Sequence, residues 1–182
     1  MDSSRVEPFL VEINGLSVSA DRDIQIASLR YFDSAGNFAA AVREIVGGAL
    51  PEPLRAIEVE HATNDAHFIL AWRSPTETLL LCEDRAAFAE LEQRIAAAVD
   101  GCMVDQTGGV CVLRVRGGRA GDLLLRLGAA TAVPGPGEAR SARLAELHVL
   151  TVCVQAGQFL LLVERAYADH LIGWIRATAA DF

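Results

Sequence analysis

Two stretches of this chain carry one pattern. Thr78–Ala98 reads TLLLCEDRAAFAELEQRIAAA and Phe159–Ala179 reads FLLLVERAYADHLIGWIRATA. With Asp84 treated as a one-residue insertion, Leu79-Leu80-Leu81 falls on Leu160-Leu161-Leu162 and Glu83 on Glu164. Arg85-Ala86 then falls on Arg165-Ala166, Leu91 on Leu171 and Ile95 on Ile175. Each copy is a short apolar run, an acidic-then-Arg joint and an amphipathic stretch at helical spacing, which is a strand feeding a helix. Two copies are too few for a solenoid. The pattern predicts a pseudo-symmetric α+β domain built from duplicated hairpin-helix units of the split βαβ, ferredoxin-like kind, with the repeat spanning 68–99 and 148–179.

A chain of 182 residues is long enough to bury a core as a single domain, 1–182, without disulfide or metal staples. The apolar fraction, 52%, is high for a soluble domain, yet no apolar run approaches the ~20 residues of a membrane-spanning helix. The N-terminal stretch, MDSSRVEPFLVEING, is acidic where a signal peptide would be basic. A cytoplasmic protein that keeps apolar surface for a partner is the expectation, with no membrane association. The net charge of -8 argues against nucleic acid. All 16 basic residues are Arg, which excludes Schiff-base chemistry and a Lys-bearing phosphate loop.

The local patterns predict a strand over Ile26–Tyr31 and a helix over Asn37–Val46, with Asn37 as its N-cap and Gly47-Gly48 as its stop. A second strand is expected around Ile57–Val59. His67–Trp72 and Thr78–Cys82 read as a hairpin; Ser74-Pro75-Thr76-Glu77 also fits a capping box, but the strand that follows leaves no room for a helix. A helix over Arg85–Val99 then buries Phe88, Leu91, Ile95 and Ala98. Val110–Arg116 alternates strictly, with Cys111, Leu113 and Val115 on one face and Val112, Arg114 and Arg116 on the other. A short helix over Arg119–Leu127 ends at Gly128. A breaker loop at Pro134-Gly135-Pro136-Gly137 and a hairpin of Val149–Val154 with Phe159–Val163 follow. The last helix, Ala166–Thr178, is expected to bury Tyr167, Leu171, Trp174 and Ile175.

Chemistry-bearing residues are sparse. Cys82, Cys102, Cys111 and Cys153 show no metal spacing, and three of them sit in apolar runs, which suits free thiols in a reducing compartment. His61, His67, His148 and His170 are scattered, with no ligand pair among them. No nucleophile elbow is present. Arg114, Arg116 and Arg119 flank a Gly-rich strand-to-helix joint, Arg116-Gly117-Gly118-Arg119-Ala120-Gly121-Asp122, where they could grip a carboxylate or phosphate, or lie solvated on a tight turn. Asp105, before Gln106-Thr107-Gly108-Gly109, could meet a polar ligand or make an ordinary turn.

The run Asp105-Gln106-Thr107, Leu113-Arg114-Val115-Arg116-Gly117 and Arg119-Ala120-Gly121-Asp122-Leu123-Leu124 is similar to one found in aminomethyltransferase-like, folate-binding-fold proteins. Phe38–Val46 with Gly48-Ala49-Leu50-Pro51, Ala71–Leu81, Val163–Trp174 and Asp181-Phe182 extend the likeness to nearly the whole chain. Within that superfamily the chain resembles the gamma subunit family of heterotetrameric sarcosine oxidase. The resemblance implies the folate-binding-domain fold and a non-catalytic subunit with no catalytic or metal residue of its own. It places flavins and NAD on large alpha and beta partner subunits, which oxidise N-methyl amino acids. It also leaves a vestigial pocket for tetrahydrofolate around Asp105, Arg114, Arg116 and Arg119. The alternatives are a free-standing folate-binding or one-carbon-transfer protein that uses those residues, and an interaction module without a ligand.

Overall fold

The computed structural model describes residues 9–13, 15–60 and 66–182; His61, Asn14 and the N-terminal eight residues read above lie outside them. The elements run β1 (Phe9–Ile13), β2 (Leu16–Asp21), β3 (Gln25–Tyr31), α1 (Asn37–Val46), β4 (Ala56–Glu60), β5 (His67–Ser74), β6 (Glu77–Cys82) and α2 (Arg85–Ile95). They continue with β7 (Gly101–Asp105), β8 (Val110–Arg116), α3 (Ala120–Leu127), β9 (Glu138–Leu144), β10 (Leu147–Gln155), β11 (Gln158–Glu164) and α4 (Ala168–Ala179). Every neighbouring strand pair is antiparallel. One sheet has the order β4-β5-β6-β3-β7, the other β1-β2-β8-β11-β10-β9.

Three apolar clusters set the layers. Leu29, Phe68, Leu70 and Leu80 on one face of the five-stranded sheet pack on Phe38 and Val42 of α1 and Phe88 and Leu91 of α2. Leu113, Val115, Val149 and Leu161 of the six-stranded sheet pack likewise on Leu123 and Leu124 of α3 and Leu171 and Ile175 of α4. The opposite faces meet each other: Ile26, Ile69, Leu79 and Leu81 lie against Val112, Leu150, Val152, Leu160 and Leu162. Both faces of the inner strands are buried, so Leu79-Leu80-Leu81 and Leu160-Leu161-Leu162 are continuous apolar runs rather than alternating ones. The result is an α+β stack of four layers: helices, sheet, sheet, helices.

The two stretches of the sequence repeat lie on β5-β6-α2 and β10-β11-α4, but the duplication reaches further. β3-α1-β4-β5-β6-α2 and β8-α3-β9-β10-β11-α4 share one element order, and their strands one spatial order, β4-β5-β6-β3 and β9-β10-β11-β8. Each unit carries one more neighbour on the same side: β7 beside β3 in the first, β2 beside β8 in the second.

Several local expectations need correction. Asn37 begins α1 but does not cap it. Gly36 stands at the N-cap, and the Asp100 carboxylate accepts the N–H groups of Asn37 and Phe38, each at 2.7 Å. Asp84, set apart as an insertion when the two copies are aligned, caps α2: its carboxylate accepts Ala86 N–H (2.8 Å) and Ala87 N–H (3.1 Å). That helix ends at Ile95, not Val99, because the chain must turn back to lay β7 beside β3. The last helix starts at Ala168, after a 3-10 turn over Arg165–Tyr167, and its buried stripe is Ala168, Leu171, Ile175 and Ala179. Tyr167 and Trp174 are therefore half-exposed, at 50% and 51%. The local patterns do not mark strands β1, β2, β7 and β9.

Candidate functional site

Strand alternation sends Arg114 and Arg116 of β8 to the same face as Val112, which lies between the two sheets. They reach a crevice of about 190 Å³ shared with Glu58, His67, Gln155 and Gln158. Arg114 does not wait there for a ligand. Its Nε donates to Asp21 Oδ2 at 2.7 Å, its Nη2 lies 2.5 Å from the same oxygen, and Nη2 also donates to Glu83. Asp21 is on β2 and Glu83 follows β6, so the guanidinium ties the two sheets together. Burial works against its charge, but the two carboxylates outweigh that and hold the guanidinium's pKa above its ordinary value. Arg116 is exposed and makes no ion pair among the described residues. The crevice is smaller than the roughly 300–1,000 Å³ of a typical small-molecule pocket.

The other two candidate residues lie elsewhere. Asp105 closes β7 and accepts the Thr107 N–H at 2.8 Å, which is the turn-making role. Thr107 in turn accepts the Ile26 N–H through Oγ1 at 3.0 Å. Arg165 clamps the following turn, donating to the carbonyls of Gly108 (2.8 Å) and Val110 (3.1 Å). Asp105 thus belongs to the joint that carries the chain from one sheet to the other. Arg119 donates to the Phe182 carbonyl oxygen at 2.6 Å, and Arg119 and Arg126 lie over the Phe182 ring at 5.4 Å and 4.4 Å. Of the four residues singled out in the sequence, only Arg114 and Arg116 share a site.

The thiols and histidines offer little reactive chemistry. Cys82, Cys111 and Cys153 are all pushed above the usual thiol value by burial, Cys82 to about 11. Cys102 alone is exposed. No three His, Cys, Asp or Glu residues converge as a metal set among the described residues. No described helix is long and apolar enough to cross a membrane.

Local patterns do not mark three larger concavities, one of them a hollow of about 610 Å³ bordered by Asp21, Arg22, Arg165 and Arg176. A cleft of about 410 Å³ opens between the sheets at the β5-β6 turn, with Leu79, Leu150 and Leu162 as floor and Arg73, Glu77 and His148 among its polar groups. Glu77 is already engaged there, accepting from Ser28 Oγ at 2.5 Å and from Arg73 Nη1 at 3.3 Å. A groove of about 440 Å³ runs along the start of β7, between Phe32 and Val99, with Tyr31, Gly101 and Cys102 beneath. Phe32 is 92% exposed and Val99 90%. The available signal was a Phe standing just past the strand, outside any buried periodicity.

No protein-family model matches this sequence, and no curated protein matches it in sequence. Solved structures do match in shape. The chain superposes on a chain of the heterotetrameric sarcosine oxidase from Corynebacterium sp. U-96 with a TM-score of 0.80 and 20% identity, covering 94% of this chain and 88% of that one. The two share a fold. The aminomethyltransferase T of the glycine cleavage system from Bartonella henselae matches with a TM-score of 0.70 and 16% identity, but the alignment covers only 45% of that longer chain against 88% of this one. A more distant likeness, TM-score 0.50 at 10% identity, is to a regulatory domain of aspartate kinase from Porphyromonas gingivalis. The sarcosine oxidase-type fold thus accounts for this chain nearly end to end, whereas in the aminomethyltransferase it forms part of a larger molecule.

Proposed function

We propose that this chain is a non-catalytic, gamma-type accessory subunit of a sarcosine oxidase-type complex, working in the cytoplasm. Large alpha and beta subunits carry the flavins, the NAD and the tetrahydrofolate chemistry, and oxidise the CH–NH bond of N-methyl amino acids. Residues 1–182 act as one folate-binding-domain-like unit within it. The observation that carries this reading is the extent of the match: most of this chain aligns with most of one chain of a heterotetramer. The state of the arginine crevice supports it. Arg114 is committed to Asp21 and Glu83, and about 190 Å³ leaves Arg116 at the remnant of a pocket rather than in a folate site. The test is affinity capture of the tagged chain from its native host, with mass spectrometry and a flavin absorbance scan of the eluate. Large flavoprotein subunits in stoichiometric amount are expected. A lone, colourless chain that takes up tetrahydrofolate saturably would overturn the reading.

A further inference from the structure

The two structural repeats differ in how far their sheets extend past the shared core. In the second unit, β8 is followed outward by β2 and then by β1, which pairs antiparallel with β2. In the first unit β3 is followed by β7, and no described strand lies beyond it. Among the described residues, the position equivalent to β1 is open. The edge that faces it is thinly protected: β7 reads Gly101-Cys102-Met103-Val104-Asp105, with one terminal carboxylate and without Pro, Lys or Arg. Residues paired across antiparallel strands share a face. Met103, paired with Leu29, therefore turns toward the helices, and Cys102 and Val104 turn to the other face, where both are exposed. At the head of this strand the groove between Phe32 and Val99 supplies the most exposed apolar surface of the described residues.

Charge indicates what would fit. Asp33, Asp100 and Asp105 border the groove and the edge, and their carboxylates accept backbone N–H groups only. No cation pairs with any of the three among the described residues. A second copy of this chain would bring acidic strand ends against acidic strand ends, because antiparallel self-pairing sets Asp105 of one copy opposite Gly101, next to Asp100, of the other. We propose that the free edge of β7 receives an extended segment of a large partner subunit, as β1 is received by β2. Its bulky apolar side chain seats between Phe32 and Val99, with an Arg or Lys beside it facing Asp33 and Asp100. The identity of the partner rests on the function proposed above.

The experiment captures tagged full-length chain with its large flavoprotein subunits, comparing the native protein with Phe32→Ser/Val99→Ser, Asp33→Asn and Trp174→Ser. Phe32 and Val99 contribute little to the core, so the double variant keeps the native melting temperature. It is expected to lower the amount of co-purified flavoprotein by about tenfold or more, as removal of interface anchors does. Asp33→Asn keeps the acceptor for the Ala35 N–H and removes one charge. It is expected to weaken capture at low salt and to flatten its salt dependence. Undiminished capture by the double variant, or loss confined to Trp174→Ser, overturns the β7 assignment while leaving the subunit reading intact. A native chain that dimerises through this edge, with the dimer lost in the double variant, overturns the choice of partner. Failure of the native chain to hold any flavoprotein overturns both.

Discussion

Asp100 links two elements that are distant in sequence. It stands at the entry to β7, yet its two carboxylate oxygens satisfy the first N–H groups of α1, which no residue of the helix itself caps. Gly36 makes this possible, because a Cβ there would run into Asp100 Oδ2. Asp100→Ala is expected to cost about 1–2 kcal/mol in urea denaturation. Gly36→Ala should cost a similar amount, and the double variant should cost much less than the sum, since either change removes the same cap. Additive losses would show that Asp100 stabilises the fold by another route. The thiols give a second residue-scale prediction. At pH 8 a thiol reagent should label Cys102 rapidly and the buried Cys82 only after unfolding. The folded Cys82 value, about 11, lies above the ordinary 9.0. The stability linked to it is therefore complete below about pH 9 and drains away as pH rises through 11, because the unfolded thiol ionises first. Denaturation midpoints that rise over that window would contradict this.

At the scale of elements, the strands and helices with one strong face could be read from the chain alone. α1 and β8 have the predicted bounds, and the Ser74–Glu77 turn closes a hairpin rather than opening a helix. The elements that escaped notice are those whose neighbours, not their own pattern, define them. β9 reads Glu138-Ala139-Arg140-Ser141-Ala142-Arg143-Leu144, an edge strand with polar residues interleaved, and its place comes from pairing with β10. β7 is a five-residue strand between two aspartates and looks like a turn until β3 is beside it. Tyr167 and Trp174 fall on the predicted stripe yet stay half-exposed, because helical spacing alone cannot say how wide a buried stripe is. The candidate site was legible to the same degree: alternation put Arg114 and Arg116 on one face, but nothing local announced Asp21 and Glu83. Those partners give Arg114 a structural task. Arg114→Ala strands the Asp21 carboxylate, whose side chain is only 6% exposed, and should cost roughly 3 kcal/mol. Arg114→Met with Asp21→Asn should recover most of it, because no buried charge is then left unpaired. A single variant as stable as the native chain in denaturant would remove the inter-sheet role.

For the whole molecule, the shared inner layer predicts how the two repeats unfold. Ile69, Leu79 and Leu81 of one sheet are covered by Val112, Leu150, Val152, Leu160 and Leu162 of the other, so neither repeat keeps this layer buried when its twin melts. The two tryptophans report on opposite halves, Trp72 on β5 and Trp174 on α4. Chains carrying Trp72→Phe or Trp174→Phe should each show one fluorescence transition, coincident with loss of far-ultraviolet circular dichroism. Two separate midpoints would mean that the repeats are independent domains. The bare edge of β7 also has a cost for the cell that makes this chain. On the subunit reading, a chain made ahead of its partners exposes Cys102, Val104 and an unpaired row of peptide groups at once, without the arginines that guard β9. Such a chain is safe only while scarce. On the subunit reading proposed above, its synthesis has to keep pace with that of its partners, because a chain left without them keeps an open strand edge for proteases to work on.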